Sequence, residues 1–324
     1  MKKSISRGLF FLLHLAGFIL LWFVVRDLHW KSFLKELASY PAWKYAAGLI
    51  ILAGVYVLKS WRWQLLNRSF DIQIPLKTAI VFYLSAGFLS VITPGRLGEF
   101  AKIYFLKRKF NVNTSMATSS VFLDRIWDVL VLSLFASISM TVFYAGISFM
   151  ILLLMAALFV CSLLLILVPG AIFKPLLFIL QRFSRLKEKV NEVYMMWKNN
   201  RFNNLTRALL LSLISFLMLA SIPVLFSAGS SYPVDFMDGI GAISISNILS
   251  FIPISIAGFG TRELVFTEIW KLSSYPKEIA ISISTSYFMV TYLGSLIIGG
   301  IVYLSRLKEL YRPKEIRQMR DENS

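Results

Sequence analysis

The chain has 324 residues, of which 57% are apolar and only 16% charged. Typical soluble domains hold about 45–50% apolar and about 25% charged residues, so an ordinary cytosolic enzyme and a disordered chain are both excluded. Lys and Arg number 34 against 17 Asp and Glu, a net charge of +17, yet the basic residues fall mostly in short loops between apolar blocks, where the positive-inside rule puts them, and no separate basic domain is left for nucleic acid.

Met1–Arg7 is basic, and Gly8–Val25 then runs 18 residues without a fixed charge. No small-residue cleavage site follows it, so the segment reads as a retained first span and not a removed signal peptide. Lys31–Tyr40 is short and amphipathic, suited to a membrane surface. Pro41 opens a second span, about Ala42–Leu58, which ends in Lys59-Ser60-Trp61-Arg62-Trp63, the pattern of a basic and aromatic interface anchor.

Thr78–Gly95 is uncharged but closes in Thr93-Pro94-Gly95-Arg96-Leu97-Gly98-Glu99, where Pro and Gly break a helix. Arg96, Lys102, Lys107, Arg108 and Lys109 follow. A full crossing would place these charges outside; a re-entrant hairpin keeps them inside. Val121–Phe143 is the next span, with Asp124, Arg125 and Asp128 in its first turns. From Val129 to Phe173 there are 45 residues without charge, too many for one helix. Tyr144-Ala145-Gly146-Ile147-Ser148 is the expected outer turn, and Phe149–Val168 the return. Lys174–Arg207 carries eight basic and two acidic residues and reads as a cytosolic amphipathic connector.

Ala208–Val234 is uncharged and contains Pro223. Gly239–Thr261 is a second broken segment, ending in Gly258, Gly260, Arg262 and Glu263. Ile279–Ser305 is the last span, followed by a basic tail. The reading is an all-α polytopic membrane protein of one domain, residues 1–324. It has six full spans, two re-entrant broken helices and both termini in the cytosol. An inverted repeat pairs residues 42–143 with 205–305, joined by a connector at 169–207 and followed by a tail at 306–324. Ser85–Glu99 and Ser246–Glu263 echo one another weakly.

Broken helices expose backbone N–H and C=O groups that hydrocarbon cannot satisfy, so they persist only against protein or water. Two such segments entering from opposite faces suggest a polar path. Arg62, Arg96 and the amides near Gly95 and Gly98 suit a lipid phosphate, although Arg62 and Arg96 also suit inner-surface anchoring. Arg96 and Glu99, three apart, could share a helix face. Asp124 and Asp128 lie one turn apart, and Arg125 reaches Asp128. Ionised groups at mid-depth cost roughly 2.5–3.5 kcal/mol each on an insertion scale, so these face protein or water. They could pair with Arg96 or Arg262, take up a proton, or form a structural stitch. Ser244, Ser246, Asn247, Ser250 and Ser255 could line the path, but helix packing explains them as well.

Cys161 is the only cysteine, and His14 and His29 are too far apart for a metal site. No disulfide, metal or other cofactor is therefore expected. There is no GxxxxGK loop, nucleophile elbow or HExxH motif, so neither an ATPase nor an enzyme is expected.

With Thr93–Glu99, Asp124-Arg125-Ile126-Trp127-Asp128 and Gly258-Phe259-Gly260-Thr261-Arg262-Glu263 in that order, the chain resembles the lysylphosphatidylglycerol synthase transmembrane region, the flippase-like domain family. The resemblance spans about residues 8–305. It departs at Ala257, where the family usually has Pro, and at Asp124, where it often has Glu. Carried over residue by residue, the resemblance marks Pro94, Gly95, Arg96, Gly98, Glu99, Asp124, Arg125, Asp128, Gly258, Gly260, Arg262 and Glu263. It implies a bacterial or archaeal inner-membrane domain that moves a phospholipid or lipid-linked substrate between leaflets. In the multiple peptide resistance factors this region is fused to a soluble aminoacyltransferase. The chain ends soon after its last span, so lysyl transfer is not expected. The alternative is a membrane partner or scaffold for a separately encoded synthase or glycosyltransferase. A homo-oligomer is compatible with either.

Overall fold

The computed structural model describes residues 26, 29–143, 149–182, 184–198, 204–251 and 260–310. The expected first span at Gly8–Val25, the turn at Tyr144–Ser148, Ser255, Ala257, Gly258 and the tail beyond Leu310 lie outside them. The described residues are α-helical, with no strand among them. In chain order the helices are α1 (Trp30–Ser39), α2 (Ala42–Arg68), α3 (Leu76–Ile92), a 3-10 turn (Pro94–Phe100), α4 (Ala101–Phe110), α5 (Thr114–Phe143), α6 (Phe149–Leu167), α7 (Pro169–Ile179) and α8 (Ser184–Lys198). There follow α9 (Leu205–Ser227), α10 (Phe236–Leu249), α11 (Thr261–Leu272), α12 (Lys277–Phe288), a π-helical turn (Met289–Leu293), α13 (Gly294–Ser305) and α14 (Leu307–Leu310).

Among the described residues four stretches are long and apolar enough to cross a membrane: α2, most of α6, α9, and α12 through α13 taken together. Helix α5, at 30 residues, is also long enough but carries three ionised residues near its middle. The protein is therefore an all-α polytopic membrane protein. Prolines set several helix starts: α2, α3 and α12 begin directly after Pro41, Pro75 and Pro276, whose fixed φ and missing N–H suit a helix entrance. Asp235 caps α10 by accepting from the Met237 amide at 3.0 Å, which satisfies one of the free N–H groups of the first turn.

Helices α3 and α4 form a hairpin that returns to the face it entered. Phe82, in the first half of α3, packs on Phe105 and Phe110 of α4, with ring centroids 5.3 and 6.3 Å apart. Helices α10 and α11 do the same on the opposite face: Trp270 Nε1 donates to the Asp238 carbonyl at 3.0 Å and Ser273 to the Asp238 carboxylate at 2.7 Å. The two faces are fixed by the long helices. Lys44, at the start of α2, donates to the carbonyls of Phe226 and Ala228 at the end of α9, and Glu278 meets His29 there. At the other end Lys109 meets Glu309.

A long helix, a half-helix, a break, a short return helix and a long closing helix thus occur twice. Helix α2 packs on α9, α3 on α13, and α10 on α5. Each half-helix leans on the closing helix of the other repeat, the exchange expected of two units related by a two-fold axis in the membrane plane. Helix α1 covers one end, burying Phe33 against Ile281 while Trp30 and Leu34 face outward. The basic connector is helical, α7 and α8, with Phe173 packed on Tyr194 and Trp197.

The first hairpin turns on Gly98. Its amide donates to Thr93 Oγ1 at 2.7 Å, and that hydroxyl donates to the Leu89 carbonyl at 2.8 Å. A Cβ on Gly98 would fall inside the van der Waals radius of the Leu89 carbonyl and the Ser90 amide, both backbone. Gly98→Ala is expected to lower the unfolding midpoint in detergent, at a cost of about 1–3 kcal/mol, the usual range for an overpacked site. Gly170→Ala, where the nearest atom is the movable Tyr194 hydroxyl at 3.2 Å, should change it far less.

Candidate functional site

Helix α2 runs ten residues past the expected end of its span, so Lys59-Ser60-Trp61-Arg62-Trp63 is not an interface anchor. Arg62 is 1% exposed and Trp63 fully buried. The helix continues because Arg62 finds partners inside the protein. Its Nε and Nη2 donate to Asp124 Oδ1 at 3.1 and 2.6 Å, and Nη1 lies 2.8 Å from Asp128 and donates to Ser212 Oγ at 3.0 Å. Asp124 and Asp128 are not in the first turns of their helix, because α5 starts at Thr114, seven residues before the expected Val121. They sit deep in the fold, and both are buried.

Asp124 also meets Lys102 at 2.8 Å and Arg125 at 3.1 Å, and accepts from the Tyr83 hydroxyl at 3.1 Å. Asp128 meets Lys59 at 3.1 Å and Arg125 at 3.0 Å. Glu99 meets Lys102 at 3.1 Å and Arg125 at 3.5 Å. Lys102 lies 4.0 Å from the Tyr83 ring centroid. The expectation that these carboxylates pair with Arg96 or Arg262 is overturned: Asp124 and Asp128 are held by Arg62, Arg125, Lys59 and Lys102. Lys102 was legible only as one of a basic run, although its position three residues after Glu99 places the two on one helix face. Lys59 stands three residues before Arg62 in the same way.

Arg96 and Glu99 do not share a helix face, because Arg96 interrupts the helix. It adopts φ +56°, a left-handed conformation rare outside glycine. Its guanidinium donates to Asn247 Oδ1 at 3.1 Å and Tyr292 Oη at 2.8 Å. It also stacks near the rings of Tyr292 and Phe251. Among the described residues no carboxylate pairs with it.

Arg262 does not face the outer solution. It sits at the inner end of α11, 2% exposed. It pairs with Glu263, donates to Ser284 at 3.1 Å, and stacks on Phe288 at 4.6 Å and on Tyr292 at 5.4 Å. Glu263 in turn accepts from the Gly260 amide at 2.8 Å, and Gly260 has φ +87°. Tyr292, for which the sequence offered no signal, therefore lies between Arg96 and Arg262. The π-helical turn at Met289–Leu293 carries it there; such turns recur at functional positions.

These groups surround a cavity of about 910 Å³, its open mouth included. Lys59, Arg62, Arg96, Arg125, Glu99 and Asp128 line one part of it, and Asn247, Tyr287 and Tyr292 another. Apolar side chains such as Leu52, Val131 and Phe216 complete the wall. The pairing of fixed charges with an apolar flank suits a ligand with an ionic head and a hydrocarbon tail. Ser244, Ser246 and Ser250 bond to carbonyls of their own helix, and of the described residues of that group Asn247 lines the cavity. Arg62, Arg96, Glu99, Arg125 and Asp128 come together at it; Asp124 stands directly behind, and Arg262 and Glu263 lie one layer away beyond Tyr292. Gly98 and Gly260 shape the two turns without lining the cavity. Pro94 and Gly95 stand at the start of the 3-10 turn.

Asp124→Asn is expected to destabilise the fold strongly, by about 3–5 kcal/mol, because Arg62, Lys102 and Arg125 lose the carboxylate they share and Asp128 and Glu99 alone are left to balance the buried cations. Arg96→Gln removes a cation that no carboxylate balances, and should cost about 1 kcal/mol or less. Thermal unfolding of both variants in the same detergent checks the contrast.

Residues 8–299 match the family described as lysylphosphatidylglycerol synthase TM region. A UPF0104 membrane protein of Methanocaldococcus jannaschii is 23% identical over 240 residues, which cover 70% of this chain and 98% of that protein. Three positions on which the motifs rest, Gly98, Glu99 and Arg262, hold the two hairpin turns together in the structure. The chain belongs to the lysylphosphatidylglycerol synthase transmembrane-region family.

Proposed function

We propose that the protein moves a lipid head group between the two leaflets of the cell's inner membrane. The head group, anionic, aminoacylated or glycosylated, would pass through the charged cavity while its chains stay in the bilayer. The observation that carries this reading is Arg96: a guanidinium at the cavity wall with no carboxylate partner among the described residues, held toward the space by Asn247 and Tyr292. An anion supplies the missing counter-charge, and a guanidinium receives phosphate oxygens through two parallel N–H bonds.

The face that carries Arg68, Lys77, Lys107, Arg108, Lys109 and Arg306 is assigned to the cytosol by the positive-inside rule. The first hairpin then enters from the cytosol and the second from outside. The lipid would engage Arg96 at the tip of the first hairpin and pass Tyr292 toward Arg262 at the tip of the second. Glu99 and Asp128 hold the neighbouring cations in place when the cavity is empty. No residue set at the cavity suggests group transfer, so the reading is a translocator and not an enzyme.

The test is head-group exposure in vesicles that contain only this protein. Labelled phospholipid should cross faster than in protein-free vesicles, and Arg96→Ala should reduce the gain at least about ten-fold, the worth of one lost charge-assisted contact. Phe178→Ala, on an exposed helix far along the connector, should leave it unchanged. Unaltered crossing in Arg96→Ala, together with a synthase or glycosyltransferase that co-purifies, would replace the translocator with a scaffold.

A further inference from the structure

The charged wall of the cavity does not balance. Lys59, Arg62, Arg96 and Arg125 face Glu99 and Asp128, which leaves a surplus of two positive charges. The pair directly behind, Lys102 and Asp124 at 2.8 Å, adds none. Arg262 and Glu263, one layer away, neutralise each other. Residues 252–259, which follow the half-helix α10, contain no ionisable side chain. Among the described residues the surplus therefore belongs to the cavity.

In the apolar middle of a membrane protein an uncompensated charge is expensive, and buried charges are normally paired. Here the carboxylates are already shared. Asp128 contacts three cations and Glu99 two, so neither is free to turn to Arg96. Among the described residues nothing else supplies counter-charge, so a bound ligand would supply it, and neutralising the surplus takes two negative charges. A phosphodiester head carries one negative charge on its phosphate. A phosphomonoester carries about −1.5 to −2 at pH 7, with three acceptor oxygens in place of two. Arg96 offers guanidinium N–H groups beyond those given to Asn247 and Tyr292, and the Tyr287 hydroxyl, which accepts from Asn247, stands in the same wall. The apolar flank fits the chains.

We infer that the cavity selects a lipid phosphomonoester, a dianionic head on a hydrocarbon tail, over a phosphodiester lipid. This rests on the translocator reading for its biological sense, but the preference is a property of binding and is measured without transport.

The full-length protein in detergent is loaded with phosphatidic acid that carries a fluorescent acyl chain. Unlabelled phosphatidic acid, phosphatidylglycerol with the same chains, and inorganic phosphate then compete at pH 8, where the monoester is doubly charged. Phosphatidic acid should displace the probe at a concentration about ten-fold lower than phosphatidylglycerol, the value of one further charge-assisted contact. Inorganic phosphate should fail to compete. Asn247→Asp, close in shape, places a carboxylate against Arg96 and halves the surplus; it should erase the gap between the two lipids. Arg96→Gln, which also lowers the surplus by one, should erase it too.

Equal displacement by the two lipids, or a gap unchanged in both variants, overturns the inference. Competition by inorganic phosphate at the concentration of phosphatidic acid overturns it in favour of a free anion. The same protein in vesicles separates the two readings. If phosphatidylglycerol crosses readily while showing no disadvantage in binding, the translocator stands and the head-group class falls. If phosphatidic acid binds with the expected preference and nothing crosses, the class stands and the translocator falls.

Discussion

Asp124 is where the first repeat is tied together. One carboxylate receives Arg62 from α2, Lys102 from α4 and Arg125 from its own helix, while Tyr83 of α3 donates to it as well. Four elements thus converge on two oxygen atoms. The return limb of the hairpin, α4, is only ten residues long, too short to be stable alone. Its inward face carries Lys102, Phe105 and Leu106, all buried. The ion pair fixes which way that face points, and the aromatic packing of Phe105 against Phe82 supplies the burial. A carboxylate in that place without its cations, or the cations without it, would have no stable alternative, since neither lipid nor the surrounding leucines can solvate charge.

The second repeat reproduces the backbone plan with a lighter set of charges. Arg262 and Glu263 of α11 reach Ser284 of α12, much as Glu99 of the 3-10 turn and Lys102 of α4 reach α5. In each case the return limb is fastened to the closing helix of its own repeat. The difference is electrical. The second fastening is one neutral pair of adjacent residues, whereas the first is a seven-member network to which Arg96 is added. A two-fold plan with unequal charge gives a cavity whose binding power lies on one side, although its walls come from both repeats. On the proposed translocator reading, such an arrangement would favour capture on the side of the first hairpin and passage toward the less charged second hairpin.

Much of this plan is legible in the residue order. Pro94-Gly95 and the apolar run before it announce a half-helix, and the charge placement around it demands a return to the same face. What escaped is depth. Lys59 to Trp63 looks like an interface because a sequence shows charge and aromatic rings but not the neighbours that bury them; Ser212 and Asp124, 150 and 62 residues away, decide the matter. The helix start at Thr114 is hidden for a similar reason, since its first turns are polar and their burial is tertiary. Tyr292 is one aromatic residue in an apolar stretch, and nothing in the pattern announces a π-helical turn. The partners of Arg96 are also invisible locally, because a φ of +56° redirects the side chain out of the helical register that spacing arguments assume.

That backbone conformation has a consequence of its own. A non-glycine residue in the left-handed region costs free energy and persists only when its surroundings over-determine it. Around Arg96 they do. On one side Thr93 and Gly98 close the turn onto the end of α3, with no room for a Cβ at Gly98. On the other, Asn247 and Tyr292 of the second repeat hold the guanidinium. The turn alone sets the backbone, but its side chain is held only by the opposite repeat. Any relative movement of the two repeats therefore changes what Arg96 touches before it disturbs the network around Asp124, whose bonds lie almost wholly within the first repeat. The cation without a fixed counter-charge is also the one whose ligands come from across the repeat boundary. On the proposed reading, this is the property required of a group that would release an anion when the two halves shift.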